Sequence, residues 1–130
     1  MLASLFLEYR SPARESRFLG AGWGMRDIRG PYIISSSAKL EITRTLFSTV
    51  RRMKLTLTLE SSNRLQSDAM LVGLSCERRK ETIVLKRNRS TLVEIPDISC
   101  PSTEFFELSI SVAQLDVIAL NWLRLEMQSS

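Results

Sequence analysis

The sequence predicts an all-β domain, an antiparallel two-sheet β-sandwich of the jelly-roll kind. Apolar and polar residues alternate with a period of two in several segments, as in strands with one buried and one wet face. These segments are short, polar turns separate them, and no long amphipathic helix lies between them. Because each strand buries one face, two sheets packed face to face satisfy the pattern.

The clearest strand is Met53–Leu59, in which methionine and leucine alternate with Lys54, Thr56 and Thr58. The other predicted strands cover residues 40–46 (with Leu40, Ile42 and Leu46 on one face), 69–76, 82–86, 91–95, 106–112 and 122–127. We expect residues 77–81 to join two strands as a hairpin and Pro96 to end the strand before it. Residues 114–120 are the one short helical candidate in the body of the domain.

The N-terminal residues fit two structures. Leu2, Leu5, Phe6 and Tyr9 would share a face of a helix, whereas Leu5, Leu7 and Tyr9 would share a face of a strand. Residues 11–17 are polar, contain a proline and are typical of a linker. The sequence therefore predicts a loosely attached N-terminal segment at 1–17 and a β-sandwich domain at 18–130.

The composition excludes several kinds of catalysis. The 130 residues include no histidine, which removes Ser-His-Asp and Cys-His catalysis and His-ligated zinc. Gly20–Gly24 lacks the spacing of a phosphate-binding loop, and no pair among the 14 acidic residues is marked as a catalytic couple. We therefore predict no enzyme, no catalytic residues, no metal site and no cofactor.

The charge balance disfavours nucleic acid as a partner. Fourteen arginines and four lysines face 14 acidic residues, for a formal net charge of +4. Acidic residues interrupt the basic clusters, as in residues 77–81, and no basic stripe forms. We expect these arginines to lie in solvated turns and to protect sheet edges.

The chain has no apolar run of the roughly 20 residues that span a bilayer. Its first seven residues lack the basic region of a signal peptide, so we predict a cytoplasmic protein without a membrane span. Cys76 and Cys100 are then two reduced thiols, with one disulfide in an oxidising compartment as the alternative.

Residues 18–32 differ from the rest of the chain. Four of the five glycines fall between Gly20 and Gly30, around Trp23. Because glycine permits positive φ and close approach of the main chain, we expect irregular turns here that hold Trp23 and Tyr32 in place.

This segment resembles the entry motif of an accessory β-sandwich in bacterial cell-surface glycan enzymes, where it is appended to glycosyltransferases and related membrane-bound transferases. The resemblance rests on Gly22-Trp23, the acidic Asp27, and Gly30-x-Tyr32 followed by Ser35. It extends over residues 18–127, with similar strands at 52–57, 91–96, 106–112 and 120–125. Arg29 and Tyr32 depart from the family pattern, which has an aromatic residue and a tryptophan there.

The resemblance implies a non-catalytic, carbohydrate-binding-type or accessory module associated with bacterial surface-glycan synthesis. Its ligand would be a glycan, held by an aromatic platform and a few polar groups: Trp23, Asp27, Arg29, Tyr32 and Arg26. A structural role is the alternative for two of them, in which Trp23 closes the end of the sandwich and Asp27 caps a turn or pairs with an arginine. Trp122 is either exposed or covers the outer side of its sheet.

A second hypothesis is a structural or assembly module. The apolar residues of the N-terminal segment would then pack on a partner protein or on another copy of the chain.

Overall fold

The computed structural model describes residues 2–43, 50–99 and 105–129, which form ten strands and no helix. The described residues therefore include no helix long and apolar enough to cross a membrane. Leu46 and Cys100 lie outside the described residues. The strands are β1 (Leu2–Glu8), β2 (Trp23–Asp27), β3 (Gly30–Ile33), β4 (Ser37–Thr43), β5 (Val50–Ser61), β6 (Ala69–Cys76), β7 (Arg79–Lys86), β8 (Ser90–Ser99), β9 (Phe105–Ser111) and β10 (Ile118–Ser129).

The strands form two antiparallel sheets, which confirms the predicted β-sandwich. The larger sheet has six strands in the order β2-β3-β10-β5-β8, with β1 also paired to β10. Strands β1 and β3 share one edge of β10, β1 along Trp122–Gln128 and β3 at Ala119. The smaller sheet has the order β4-β9-β6-β7.

The core lies between the sheets and follows the predicted alternation. On β5 the side chains of Leu55, Leu57 and Leu59 are fully buried. They belong to one cluster with side chains of the smaller sheet such as Leu40 and Leu108. Each buried leucine contributes about 1.5–3 kcal/mol to folding.

The N-terminal residues form a strand. In β1, seven residues pair in register with β10, and Leu7 is 1% exposed. Tyr9, just beyond β1, is fully buried, and its hydroxyl donates to the carbonyl of Arg17 at 2.6 Å. The loose attachment expected for the N-terminal segment is thus corrected in its first part, because β10 offers an edge and the core offers space for these side chains.

The helix predicted at 114–120 is wrong. Residues 113–117 form bends, Asp116 has a φ of 61°, and β10 begins at Ile118. Residues 117–121 are all buried, so this stretch lacks the alternation that marks the other strands and does not look like one in the sequence.

Pro96 does not end β8, which continues to Ser99. Met53 of β5 pairs with Ile98 of β8, and Leu55 pairs with Ile95, so the register shifts between these two pairs. Pro96 therefore lies in a bulge with Asp97, whose φ is 54°. A proline is tolerated there because β8 is an edge strand and needs no outward N–H.

The glycine-rich segment 18–32 is more regular than predicted, since β2 and β3 form a hairpin with Asp27 opposite Gly30. Only residues 18–22 before it follow an irregular path. Gly30 has a φ of 115°, the left-handed region that glycine adopts without strain.

Cys76 is buried and carries a free thiol. Burial raises the pKa of this thiol, so it stays protonated at neutral pH.

Candidate functional site

The outer face of the six-stranded sheet, opposite the core, gathers most of the residues of interest. The strand register sets side chains in three neighbouring rows across it. From the β1/β3 side to β8 these rows are Tyr32, Ala119, Glu60 and Ser90; Glu8, Trp122, Thr58 and Leu92; and Phe6, Arg124, Thr56 and Glu94.

Three of the predicted site residues meet at the β2–β3 turn. Asp27 accepts the main-chain N–H of Arg29 at 2.8 Å and the hydroxyl of Tyr32 at 2.8 Å. Arg29 also pairs with Asp27 through Nη1, 3.1 Å from Oδ2. Asp27 therefore caps a turn and pairs with an arginine, which is the structural role that the sequence left open.

Arg29 connects this turn to the centre of the sheet. Its Nε donates to Oε2 of Glu60 on β5 at 2.7 Å. The amide of Asn121, which is 1% exposed at a bulge of β10, donates to the carbonyl of Arg29 at 2.8 Å and to Glu60 at 3.2 Å. The turn is thereby held in one position over the sheet.

The hydrogen bonds of this cluster shift its ionisations. Partial desolvation of Asp27 raises its pKa, but the N–H and guanidinium of Arg29 and the hydroxyl of Tyr32 together outweigh desolvation and lower it below its usual value. Desolvation, followed by the bond to Asp27, raises the pKa of Tyr32. At neutral pH the cluster thus contains an ionised carboxylate and a protonated phenol.

Trp23 and Tyr32 project to opposite sides of the hairpin. Trp23 pairs with Ile33, packs against the core, and donates its indole N–H to the carbonyl of Lys39 at 2.9 Å. Tyr32 lies on the outer side, is 3% exposed, and has the guanidinium carbon of Arg64 5.3 Å from its ring centroid. In this arrangement the two rings form no joint platform.

Arg26 also lies apart from the cluster at the turn. Its Nη2 donates to the carbonyl of Glu15 at 2.9 Å, and its buried Nη1 has no hydrogen-bond partner among the described residues. Arg26 therefore connects the hairpin to the loop before it.

An aromatic pair that the sequence did not predict lies beside the turn cluster. Phe6 of β1 and Trp122 of β10 are 5.7 Å apart between ring centroids and tilted by 34°. Phe6 is 50% exposed and Trp122 is half-buried, so both rings reach solvent. The guanidinium carbon of Arg124 lies 5.6 Å from the centroid of Trp122 and 6.0 Å from that of Phe6, within reach of a cation–π interaction.

A lane of threonines runs beside this pair along β5. Thr56 and Thr58 are only 5% and 8% exposed although they point away from the core. Taller side chains of β10 and β8 flank them, with Trp122 and the 56% exposed Leu92 on either side of Thr58. On the outer face, the short polar side chains of this lane therefore lie between larger side chains that project further from the sheet. Aromatic rings stand on one side of it.

Ion pairs surround this lane. They are Glu8 with Arg10 at 2.7 Å, Lys54 with Glu94 at 3.7 Å, and Arg29 with Glu60 at 2.7 Å. Hydrogen bonds with Arg10 lower the pKa of Glu8. Such groups accept and donate hydrogen bonds and leave the surface nearly balanced in charge.

Sequence reasoning missed Phe6 as part of a site because its neighbour Trp122 is distant in the chain. The available signal was the strand alternation that sets Trp122 apart from Leu123 and Leu125. The described residues contain no cluster of three or more carboxylate or thiol groups that could hold a metal ion.

No family model matches this sequence, and no curated protein matches it. Solved structures do match its fold. One is the CBM36-1 domain of a multidomain xylanase from the hindgut metagenome of Trinervitermes trinervoides, at 13% identity and a TM-score of 0.59, with 98% of each chain covered. Another is the carbohydrate-binding module CBM36 in complex with calcium and xylotriose, at 11% identity and a TM-score of 0.53, with 93% of this chain and 98% of that chain covered.

A third similar structure is the GH26-CBM35 β-(1,4)-mannanase of Podospora anserina, at 8% identity and a TM-score of 0.56. The match covers 98% of this chain and 28% of the mannanase. At these identities the likeness defines the fold alone: the chain is a β-sandwich of the kind found in carbohydrate-binding modules.

Proposed function

We propose that this domain is a non-catalytic carbohydrate-binding module that holds a glycan on the outer face of its six-stranded sheet. The observation that carries the proposal is the solvent-accessible pair of Phe6 and Trp122 beside the lane of Thr56 and Thr58. Aromatic faces pack on the apolar C–H face of a sugar ring, while hydroxyl and charged groups bond its hydroxyls. The similarity to carbohydrate-binding modules supports the same function through the fold.

The predicted residues Asp27 and Arg29 extend this surface, since their cluster adjoins the row that contains Trp122. Asp27 is 43% exposed and Arg29 is 35% exposed, so both reach solvent while held by Tyr32 and Glu60. In the proposal they bond sugar hydroxyls at one end of the lane. Tyr32 positions Asp27, and Trp23 and Arg26 fix the hairpin.

The sequence resemblance adds a finer proposal, in which the module is an accessory part of bacterial surface-glycan synthesis and works in the cytoplasm. It would then bring a growing or finished glycan to a transferase. Interaction with such an enzyme in extracts of a bacterial host is its test.

The experiment is an amide NMR titration with neutral β-1,4-linked trisaccharides, acidic glycans and a short single-stranded oligonucleotide. We expect glycan-induced shifts at Phe6, Thr58 and Trp122, with smaller ones at Asp27 and Arg29. Phe6→Ala should weaken binding about tenfold, since one ring contributes roughly 1 kcal/mol beyond its area. Leu71→Ala is the control, because Leu71 is 64% exposed on the other sheet. Silence toward every glycan would refute the proposal.

The second candidate function is that of an assembly module. Phe6, at 50% exposed, and Leu92, at 56%, favour it, because exposed apolar side chains on one sheet face also suit a protein surface. A partner protein would then contact Phe6 and Leu92, the glycan titration would stay silent, and shifts at these residues would appear only when that partner is added.

A further inference from the structure

Five of the described strands lie at sheet edges, and they differ in how they are protected. An unprotected edge offers a row of unpaired N–H and C=O groups to another strand, so natural proteins cover, charge or distort their edges. In the smaller sheet, residues 18–21 cover β4 with main-chain bonds such as Gly20 N to Lys39 O at 2.8 Å. Strand β7 carries the exposed charges Lys80, Glu81 and Lys86.

The larger sheet protects two of its edges by other means. Strand β8 contains Pro96 and a bulge, and β2 has five residues with an irregular register against β3. Both features interrupt the regular row of groups that an added strand requires.

Strand β1 has none of these devices. It is seven residues long, pairs with β10 without a register shift, and contains no proline or glycine. Its one charged residue is Glu8, at the end of the strand. Among the described residues, no main-chain hydrogen bond outside the sheet pairing reaches β1. Its outer edge is therefore a regular, uncharged template along 2–7.

We infer that the outer edge of β1 pairs with β1 of a second copy of this chain, in antiparallel orientation about a twofold axis. An antiparallel strand is its own partner under such an axis, so the interface is self-complementary. Because residues 2–7 are uncharged, no like charges oppose each other within that stretch. A register centred on Phe6 sets the two exposed Phe6 rings directly opposite each other, and one centred on Leu5 sets them diagonally on the same face. Both registers remove apolar surface from water.

This inference goes beyond the proposed glycan site and does not require it, because it concerns the edge of the sheet and the glycan surface is its face. The six-stranded sheets of the two copies would join into one continuous sheet, with the Phe6–Trp122 pairs of the two copies adjacent. Both proposals involve Phe6, so they are distinguished by other readouts: amide shifts at Thr58 and Trp122 report the glycan, and hydrogen exchange along β1 reports the dimer.

Analytical ultracentrifugation of the whole chain over a range of concentrations is the test. We expect a concentration-dependent dimer, and Ser4→Lys with Phe6→Lys should weaken it at least tenfold because both registers place lysines opposite each other. Leu71→Lys with Leu92→Lys is the matched control: it adds the same two charges at exposed leucines away from β1, and the dimer should persist.

A wild-type chain that stays monomeric at high concentration would overturn the inference, and so would a dimer unaffected by the lysines on β1. Hydrogen exchange of the wild-type chain at low and high concentration tests the same edge without any substitution. Tyr9 N–H bonds Asn121 of β10, so in the same register the N–H groups of residues 4 and 6 point away from β10. Their amides should exchange more slowly as the dimer fills, and equal exchange in the dimer would place the interface elsewhere.

Discussion

The side-chain amide of Asn121 donates to the main-chain carbonyl of Arg29 at 2.8 Å, joining the bulge of β10 to the β2–β3 turn. Asn121 is 1% exposed, and its side-chain amide also donates to Glu60 at 3.2 Å. Its side-chain oxygen Oδ1 accepts from the hydroxyl of Ser90 at 3.3 Å. One buried amide thus connects three strands beneath the candidate site.

We expect Asn121→Ala to destabilise the domain by about 2–3 kcal/mol, because it leaves buried polar groups without partners. Urea denaturation followed by circular dichroism measures this difference. Ser90→Ala, which removes only two long bonds at an exposed residue, should cost less than about 0.5 kcal/mol. Equal effects of the two substitutions would show that the amide does not hold the turn.

Much of the fold follows from local patterns. The alternation at Leu55, Leu57 and Leu59 predicted β5, because side chains of a strand point alternately to its two faces. The hairpin of β6 and β7 was also predicted, because a polar stretch joins two such patterns. Its turn is shorter than the predicted 77–81: Cys76 pairs with Arg79, so residues 79–81 belong to β7.

The features of the fold and of the candidate site that the sequence did not predict depend on contacts between residues distant in the chain. Nothing near Phe6 shows that β1 pairs with β10, and the Phe6–Trp122 platform exists only through that pairing. Ile118 and Leu120 face the core, while Ala119 lies on the outer side beside Tyr32 and is buried as well. Since Asn121 in the following bulge is also buried, the stretch lacks the alternation that marks a strand. Of the five predicted site residues, Asp27, Arg29 and Tyr32 meet at the β2–β3 turn because few residues separate them, whereas Trp23 and Arg26 lie apart.

Any side chain at position 30, which is a glycine, should lower the stability of the folded domain. Its φ is 115°, and a Cβ atom there would overlap the main-chain oxygen of Leu120. We expect Gly30→Ala to cost at least about 3 kcal/mol, since backbone strain adds to the overlap. The melting temperature is the measurement.

Gly73 is the matched control within a strand. A Cβ atom there meets the Cβ of Ser111 at 3.6 Å, an ordinary van der Waals contact. Gly73→Ala should therefore stabilise the domain by about 0.5 kcal/mol through the unfolded chain. A Gly30→Ala variant as stable as Gly73→Ala would contradict the geometry of the β2–β3 turn.

Both tyrosines of the chain should resist ionisation. Burial raises the pKa of Tyr9 first, and Glu15 raises it further, while burial and Asp27 raise that of Tyr32. Phenolate absorbance should therefore stay low at about pH 10, where an ordinary tyrosine is half ionised. In guanidinium chloride both residues should titrate normally. A full phenolate signal from the folded domain at that pH would contradict the burial of Tyr9.

The raised pKa values of the two tyrosines also determine how the stability of the folded domain changes at alkaline pH. A folded-state pKa above the unfolded value gives stabilisation that is complete below about pH 10 and disappears as the pH rises through the folded values. The midpoint of urea unfolding should fall in this window. Tyr9→Phe should reduce that fall and, at neutral pH, cost about 1–2 kcal/mol because the carbonyl of Arg17 loses its donor.

Removal of residues 1–17 tests whether a domain that begins at Phe18 folds by itself. The deletion removes β1, with Leu7, and the fully buried Tyr9, two side chains that together contribute about 3–6 kcal/mol. Since small domains are stable by only about 5–15 kcal/mol, the shortened chain should lose most of its stability.

The shortened chain should also self-associate, because the freed edge of β10 resembles an open sheet edge. Denaturation and gel filtration measure both effects, and a synthetic peptide of residues 1–10 should restore the fold. If the shortened chain instead unfolds cooperatively at the original midpoint without the peptide, β1 is dispensable and the sandwich begins at Phe18.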